Sequence, residues 1–161
     1  MGHSEIIDTG LTLDAARKKY PSRRKCPADP RPRINSMFYI TGDPLDVGQC
    51  TVATGQQPTK TNKKRVRGKF YPSGRPNVLP ADWVLSVVYE PCSSVDDCMA
   101  ELVNLLYPRA KEIKSLLRKN GYHAGFLTMV TIFEERAIYS LSASTLKRLS
   151  AFDLEWALDV L

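Results

Sequence analysis

The chain has 161 residues, 43% of them hydrophobic and 25% charged, with 11 prolines, 4 cysteines and a formal charge of +6. Since ~100–200 residues make a domain, that length accommodates one and leaves no room for a second. No apolar run approaches the roughly 18 residues of a membrane span, and residues 1–20 lack the apolar stretch of a signal peptide, so a soluble protein of the cytoplasm is expected.

Charge is distributed unevenly. Residues 1–35 carry 8 basic and 4 acidic side chains, and residues 60–75 carry 7 basic and none acidic. Residues 76–161 hold 8 basic against 11 acidic, so the body is mildly acidic and its basicity sits in a tail and a loop. The tail has a brief helical pattern from Leu11 to Lys19, followed by Pro21, Pro27, Pro30 and Pro32 with Arg and Lys between them. Prolines at that density preclude a helix and remove strand donors, so residues 1–35 read as a basic, largely irregular extension and 36–161 as a single domain.

Within the domain, Met37–Gly42 is rich in aromatic and β-branched residues and predicts the first strand. Asp43 as cap and Pro44 at the first helical position predict a short helix with Leu45, Val47, Val52 and Ala53 inward, stopped by Gly55. The basic segment that follows reads as a loop. In it Lys63, Lys64, Arg65, Arg67 and Lys69 precede Phe70 and Tyr71, a pattern that could hold phosphates and stack on bases, although a solvated loop accounts for the same residues. Asp82–Tyr89 alternates as a strand with Trp83, Leu85, Val87 and Tyr89 on one face.

Ser94-Val-Asp-Asp97 resembles a capping box and opens a helix through Met99, Leu102, Val103, Leu105 and Leu106. Pro108 interrupts it, and a second helix turns Ile113, Leu116 and Leu117 inward, then stops at Asn120-Gly121. Lys114, Arg118 and Lys119 near its end suit the helix dipole without any ligand. Tyr122–Phe133 reads as a central strand and Ala137–Leu141 as its hairpin partner. Ser142 or Ser144 caps a helix through Leu146 and Leu149, and Leu154–Val160 alternates as the last strand. These elements predict an α+β fold, a two-layer sandwich whose mixed or antiparallel sheet of about five strands carries helices on one face.

Signatures of chemistry are scarce. Cys26, Cys50, Cys92 and Cys98 contain no CxxC pair, so no metal site is expected, and Cys50 and Cys98 read as small core hydrophobes. His123 is the one histidine of the domain, and phosphate-loop, dinucleotide, GxSxG and HExxH patterns are absent. Asp96-Asp97 and Glu134-Glu135 are adjacent pairs whose side chains diverge. No catalytic residue and no cofactor is expected.

From Met37 to Leu161 the chain resembles a bacterial family of small domains of unknown function, numbered four-two-seven-nine. The marks are Phe38-Tyr-Ile-Thr-Gly-Asp43, Gln57-Pro-Thr59, the basic loop through Gly68, Trp83-Val-Leu-Ser86, Tyr139-Ser-Leu-Ser142, the Leu146–Phe152 helix and Leu154-Glu-Trp-Ala-Leu-Asp159. The resemblance implies an α+β fold and supplies no catalytic residues. Such domains are similar in size and build to immunity proteins that neutralise bacterial toxins. The expected function is therefore protein binding, as an immunity-like antagonist, and the alternative is nucleic-acid association through the 60–75 loop.

Overall fold

The apolar alternation that predicts a strand at Met37 begins earlier. In a computed structural model, which describes residues 31–67, 77–90, 94–133 and 138–161, β1 runs Arg33–Gly42 with Ile34, Ser36, Phe38 and Ile40 all buried. Arg33, Ile34 and Asn35, assigned from sequence to the irregular extension, are thus strand residues. Arg33 ion-pairs with Glu90 at 3.3 Å, and Ile34 joins the core.

Helix α1 spans Val47–Thr54, starting later than the sequence predicts because Asp46, and not Asp43, is its cap: the Asp46 carboxylate accepts from the Gln49 N–H. This shifts the inward face to Cys50 and Thr54, while Val47 and Val52 point outward. Gly55 closes the helix at φ 68°, a left-handed position suited to glycine.

The basic segment contains two strands where a loop was expected, β2 at Lys60–Asn62 and β3 at Arg65–Arg67, and β4 at Asn77–Leu79 follows it. β2 gains the backbone partners of β5, Ala81–Tyr89, while β3 and β4 form a separate two-stranded hairpin. Helix α2, Val95–Leu106, a 3-10 turn at Tyr107–Arg109, and helix α3, Ala110–Asn120, follow as the sequence predicts. Ser94 occupies the cap position of α2 without a side-chain cap bond, so the capping box is not formed. Asp96 instead accepts from both N–H and Oγ of Ser142, tying α2 to the start of α4, Ala143–Ser150. Ser142 also caps α4 by accepting from the Thr145 N–H, and Leu146 faces solvent while Thr145 and Leu149 are buried.

β6, His123–Thr131, and β7, Trp156–Val160, complete a five-stranded sheet ordered β2-β5-β1-β6-β7. All pairings are antiparallel except β6 with β7, so the sheet is mixed. Among the described residues the predicted 126–141 hairpin is not formed. The free edge of β6 is taken by β7, where the Trp156 indole donates to Thr128 Oγ1 at 3.1 Å, and Ile138 makes only a single parallel bridge to Ser94.

The helices pack on one face of this sheet. Phe38, Trp83, Phe126 and Phe152 form an aromatic cluster with centroids 5.0–6.5 Å apart, joined by Met99, Leu102, Leu106 and Ile113 from α2 and α3. Each such side chain contributes ~1.5–3 kcal/mol on burial. Two of the buried polar side chains, Ser36 and Thr128, are hydrogen-bonded to each other at 3.0 Å. Among the described residues, no helix is long and apolar enough to cross a membrane.

Candidate functional site

The sequence-predicted cationic residues end up partly neutralised. Lys63 and Lys64 lie between β2 and β3, and with Arg65 on β3 they are exposed. Lys64 pairs with Asp43, which follows β1, so its charge is offset within the fold. Arg67 lies on β3, and Lys69, Phe70 and Tyr71 fall outside the described residues.

A second cationic surface, read from sequence only as dipole complementarity, lies on α3. Lys111, Lys114 and Arg118 recur at helical spacing and, with Lys119 and Ser115, line a shallow concavity of about 640 Å³. None of these four cations has an ion-pair partner among the described residues. The opposite sign appears on α2, where Asp97 and Glu101 flank Tyr89 around a depression of about 680 Å³. The hydrogen bond from Tyr89 Oη to Glu101, reinforced by desolvation and the neighbouring negative charge, pushes the phenol up to about 12.

Between α1 and α3 lies a groove of about 690 Å³. Its apolar part is Val52, Ala53 and Leu116, and Asp46, Arg109, Glu112 and Lys119 stand around them. The frame is specified by local rules. Asp46 Oδ1 accepts from Gln49 N at 3.0 Å and Oδ2 from Gln49 Nε2 at 3.1 Å, which fixes the first turn of α1. The Asp46 N–H donates to Tyr122 Oη at 3.1 Å, and the Tyr122 ring lies against Gly42. At the other end Arg109 passes close to Gly55 and meets Glu112 at 3.6 Å. The sequence signal for this groove was Val52, placed inward by a helix phase that the true cap corrects.

Other titratable groups are dispersed. His123 begins β6 and is exposed. The Cys50 thiol is pushed up to about 11, chiefly by burial and secondarily by the Asp46 charge, so it is a poor nucleophile. Cys50 and Cys98 are buried as expected, whereas Cys26 and Cys92 lie outside the described residues. Among the described residues no three His, Cys, Asp or Glu side chains gather in a metal-binding arrangement.

These elements define an α+β domain with a mixed sheet, helices on one face and a groove framed by two of those helices. Residues 32–161 match the family model described as Domain of unknown function (DUF4279), and the chain belongs to that family. No curated protein and no solved structure matches the chain.

Proposed function

We propose that the domain acts in the cytoplasm by binding another protein, without catalysis, and that the α1–α3 groove is its docking surface. The observation that carries this reading is Val52, at 77% the most exposed large apolar side chain among the described residues, set beside Ala53 and Leu116 within a rim of both charge signs. Protein interfaces concentrate their energy in such apolar centres while polar rims exclude water and fix register. The occupant that fits is a protein segment presenting one aliphatic or aromatic side chain flanked by charges. An immunity-like antagonist needs no more than such a surface, and against a basic toxin the acidic α2 face at Asp97 and Glu101 adds steering.

The test is capture from native cell lysate with the full chain, under nuclease treatment and raised salt, beside Val52→Asp. A stoichiometric protein retained by the wild type under both treatments and lost with Val52→Asp supports the reading. Retention of the same protein by Val52→Asp overturns the groove.

A second reading, association with nucleic acid, is favoured by the row Lys111, Lys114, Arg118 and Lys119, without ion pairs among the described residues; Lys114 is half-buried, and the other three are exposed, as are Lys63 and Arg65. Binding of that kind weakens with log salt at about −0.9 per phosphate contact on duplex DNA. Replacing Lys111, Lys114 and Arg118 by Gln should lower the slope by about 2–3. If duplex and single-stranded probes fail to bind even at low salt, this second reading is ruled out.

A further inference from the structure

The α1–α3 groove does not end at its rim. Ser115 and Lys119, which bound it on α3, also line the concavity of the cation row, so the two depressions form one continuous surface folded over that helix. The order of residues dictates this. At ~100° per residue, Leu116, Lys119, Ser115 and then Lys111 and Arg118 follow one another around α3, from apolar floor to cations in about 150°. On a helix ~11 Å across, that arc is roughly 14 Å, or about four residues of an extended segment at ~3.4 Å each. Ser115, small and exposed, is the saddle between the two sides.

The acids of the groove are already engaged. Both Asp46 oxygens accept from Gln49, and Glu112 lies 3.6 Å from Arg109. Lys111, Lys114, Arg118 and Lys119 have no ion pair among the described residues, and Asp153, which stands beside Lys114 and Arg118, pairs with neither. The charge left unneutralised around the helix is therefore mainly of one sign. The acidic depression at Asp97 and Glu101 shares no lining residue with either concavity.

We infer that the protein segment seated in the groove is acidic: an aliphatic or aromatic anchor rests on Val52, Ala53 and Leu116, and two or more carboxylates about four residues away cross Ser115 onto Lys111, Arg118 and Lys119. This rests on the groove being the docking surface and adds the chemistry of what it takes. Charge at the edge of an interface sets the on-rate and rejects wrong partners, while the apolar centre holds the complex. A basic segment with the same anchor meets like charge along the whole row. A nucleic acid would satisfy the cations and leave the floor empty, since Val52, Ala53 and Leu116 include no ring on which a base stacks.

The experiment is selection of random peptides of about 12 residues, long enough to span anchor and acids, on the full chain. Peptides that also bind Val52→Asn, a neutral change on an exposed position, are discarded, and circular dichroism confirms that each variant is folded. The retained peptides should share one large apolar residue with Asp or Glu about four positions away. Their dissociation constants, read by fluorescence anisotropy, should rise about tenfold or more on Lys111→Glu/Arg118→Glu. Affinity for that variant should return when the peptide's acids are replaced by Lys. Val52-dependent peptides that are neutral or basic, or that ignore the charge reversal, overturn the inference and leave the groove standing. Failure to recover any Val52-dependent peptide overturns the groove and the inference with it. A duplex DNA probe that binds wild type and Val52→Asn alike at about 0.15 M salt, and displaces the peptide, assigns the cations to nucleic acid and overturns the inference.

Discussion

Replacing Gly42 by Ala should disconnect the frame of the α1–α3 groove from the sheet. Gly42 ends β1, and a Cβ there would stand 2.5 Å from Cδ1 and 2.8 Å from Cε1 of Tyr122. Carbon atoms prefer ~3.5–4.0 Å, so the ring must move about 1 Å. Overpacking of that kind costs about 1–3 kcal/mol. The displaced ring also loses the bond that Tyr122 Oη accepts from the Asp46 N–H, a further ~0.5–1.5 kcal/mol. Against this, removing a glycine from a strand stabilises by ~0.4–1 kcal/mol through the unfolded chain. The net expectation is a loss of about 1–3 kcal/mol, read in urea unfolding as a midpoint lowered by about 1 M with unchanged slope. Truncating the obstacle in the double variant Gly42→Ala/Tyr122→Ala should make the glycine substitution neutral or favourable, a clear non-additivity. A Gly42→Ala protein as stable as wild type, or strict additivity in the cycle, would refute the claim that Tyr122 is wedged against this glycine.

Three further outcomes are expected. Burial alone would raise the Asp96 carboxyl, but bonds from the Ser142 N–H and from the Thr145 and Ser142 hydroxyls outweigh it and hold the group below its ordinary 3.8. Because the folded value is the lower one, this stabilisation is present above pH 3.8 and lost as pH falls through the folded value; wild type and Asp96→Asn, separated near neutrality in chemical denaturation, should converge in acid. Labelling of Cys50 by a thiol reagent near pH 8 should proceed only as fast as the domain opens, since its thiol is raised to about 11 and buried; rapid native-state labelling would contradict its place in the core. Phe126→Ala removes a ring 5.0 Å from Phe38 and 5.2 Å from Phe152, and should cost about 3–5 kcal/mol in equilibrium unfolding.

The helices of the middle were legible because their punctuation is unambiguous. Pro108 separates α2 from α3 and Gly121 ends α3 at φ 64°. The apolar alternation of β5 and β7 was equally readable. Parallel pairing was not, since the pattern of Trp156, Leu158 and Val160 is the same whichever way the neighbour runs. β2 and β3 were missed because strands of three residues, with Val66 their one apolar side chain, are too short to show a period, and they exist through backbone bonds to β5 and β4. In α1, eight residues long, moving the cap from Asp43 to Asp46 rotates the inward face from Val47 and Val52 to Cys50 and Thr54. That rotation hid the groove, whose exposed valine looked like core. The cations of α3 were visible, but what distinguishes them, the lack of acidic partners, is a property of the folded surface.

The parallel strand β7 imposes an order of events during synthesis. Phe126 N–H bonds to Glu155 O, Leu161 N–H to Val130 O and Ile132 N–H to Leu161 O, so the outer edge of β6 waits for residues 155–161. At ~5–20 residues per second, the offset of 30 positions between Phe126 and its partner Trp156 keeps that edge open for a few seconds on the ribosome. Throughout that interval Phe126, Thr128 and Val130 present an unpaired template to any neighbouring nascent chain. Production in the cell should therefore depend on how quickly residues 155–161 follow β6 as well as on the stability of the helical layer.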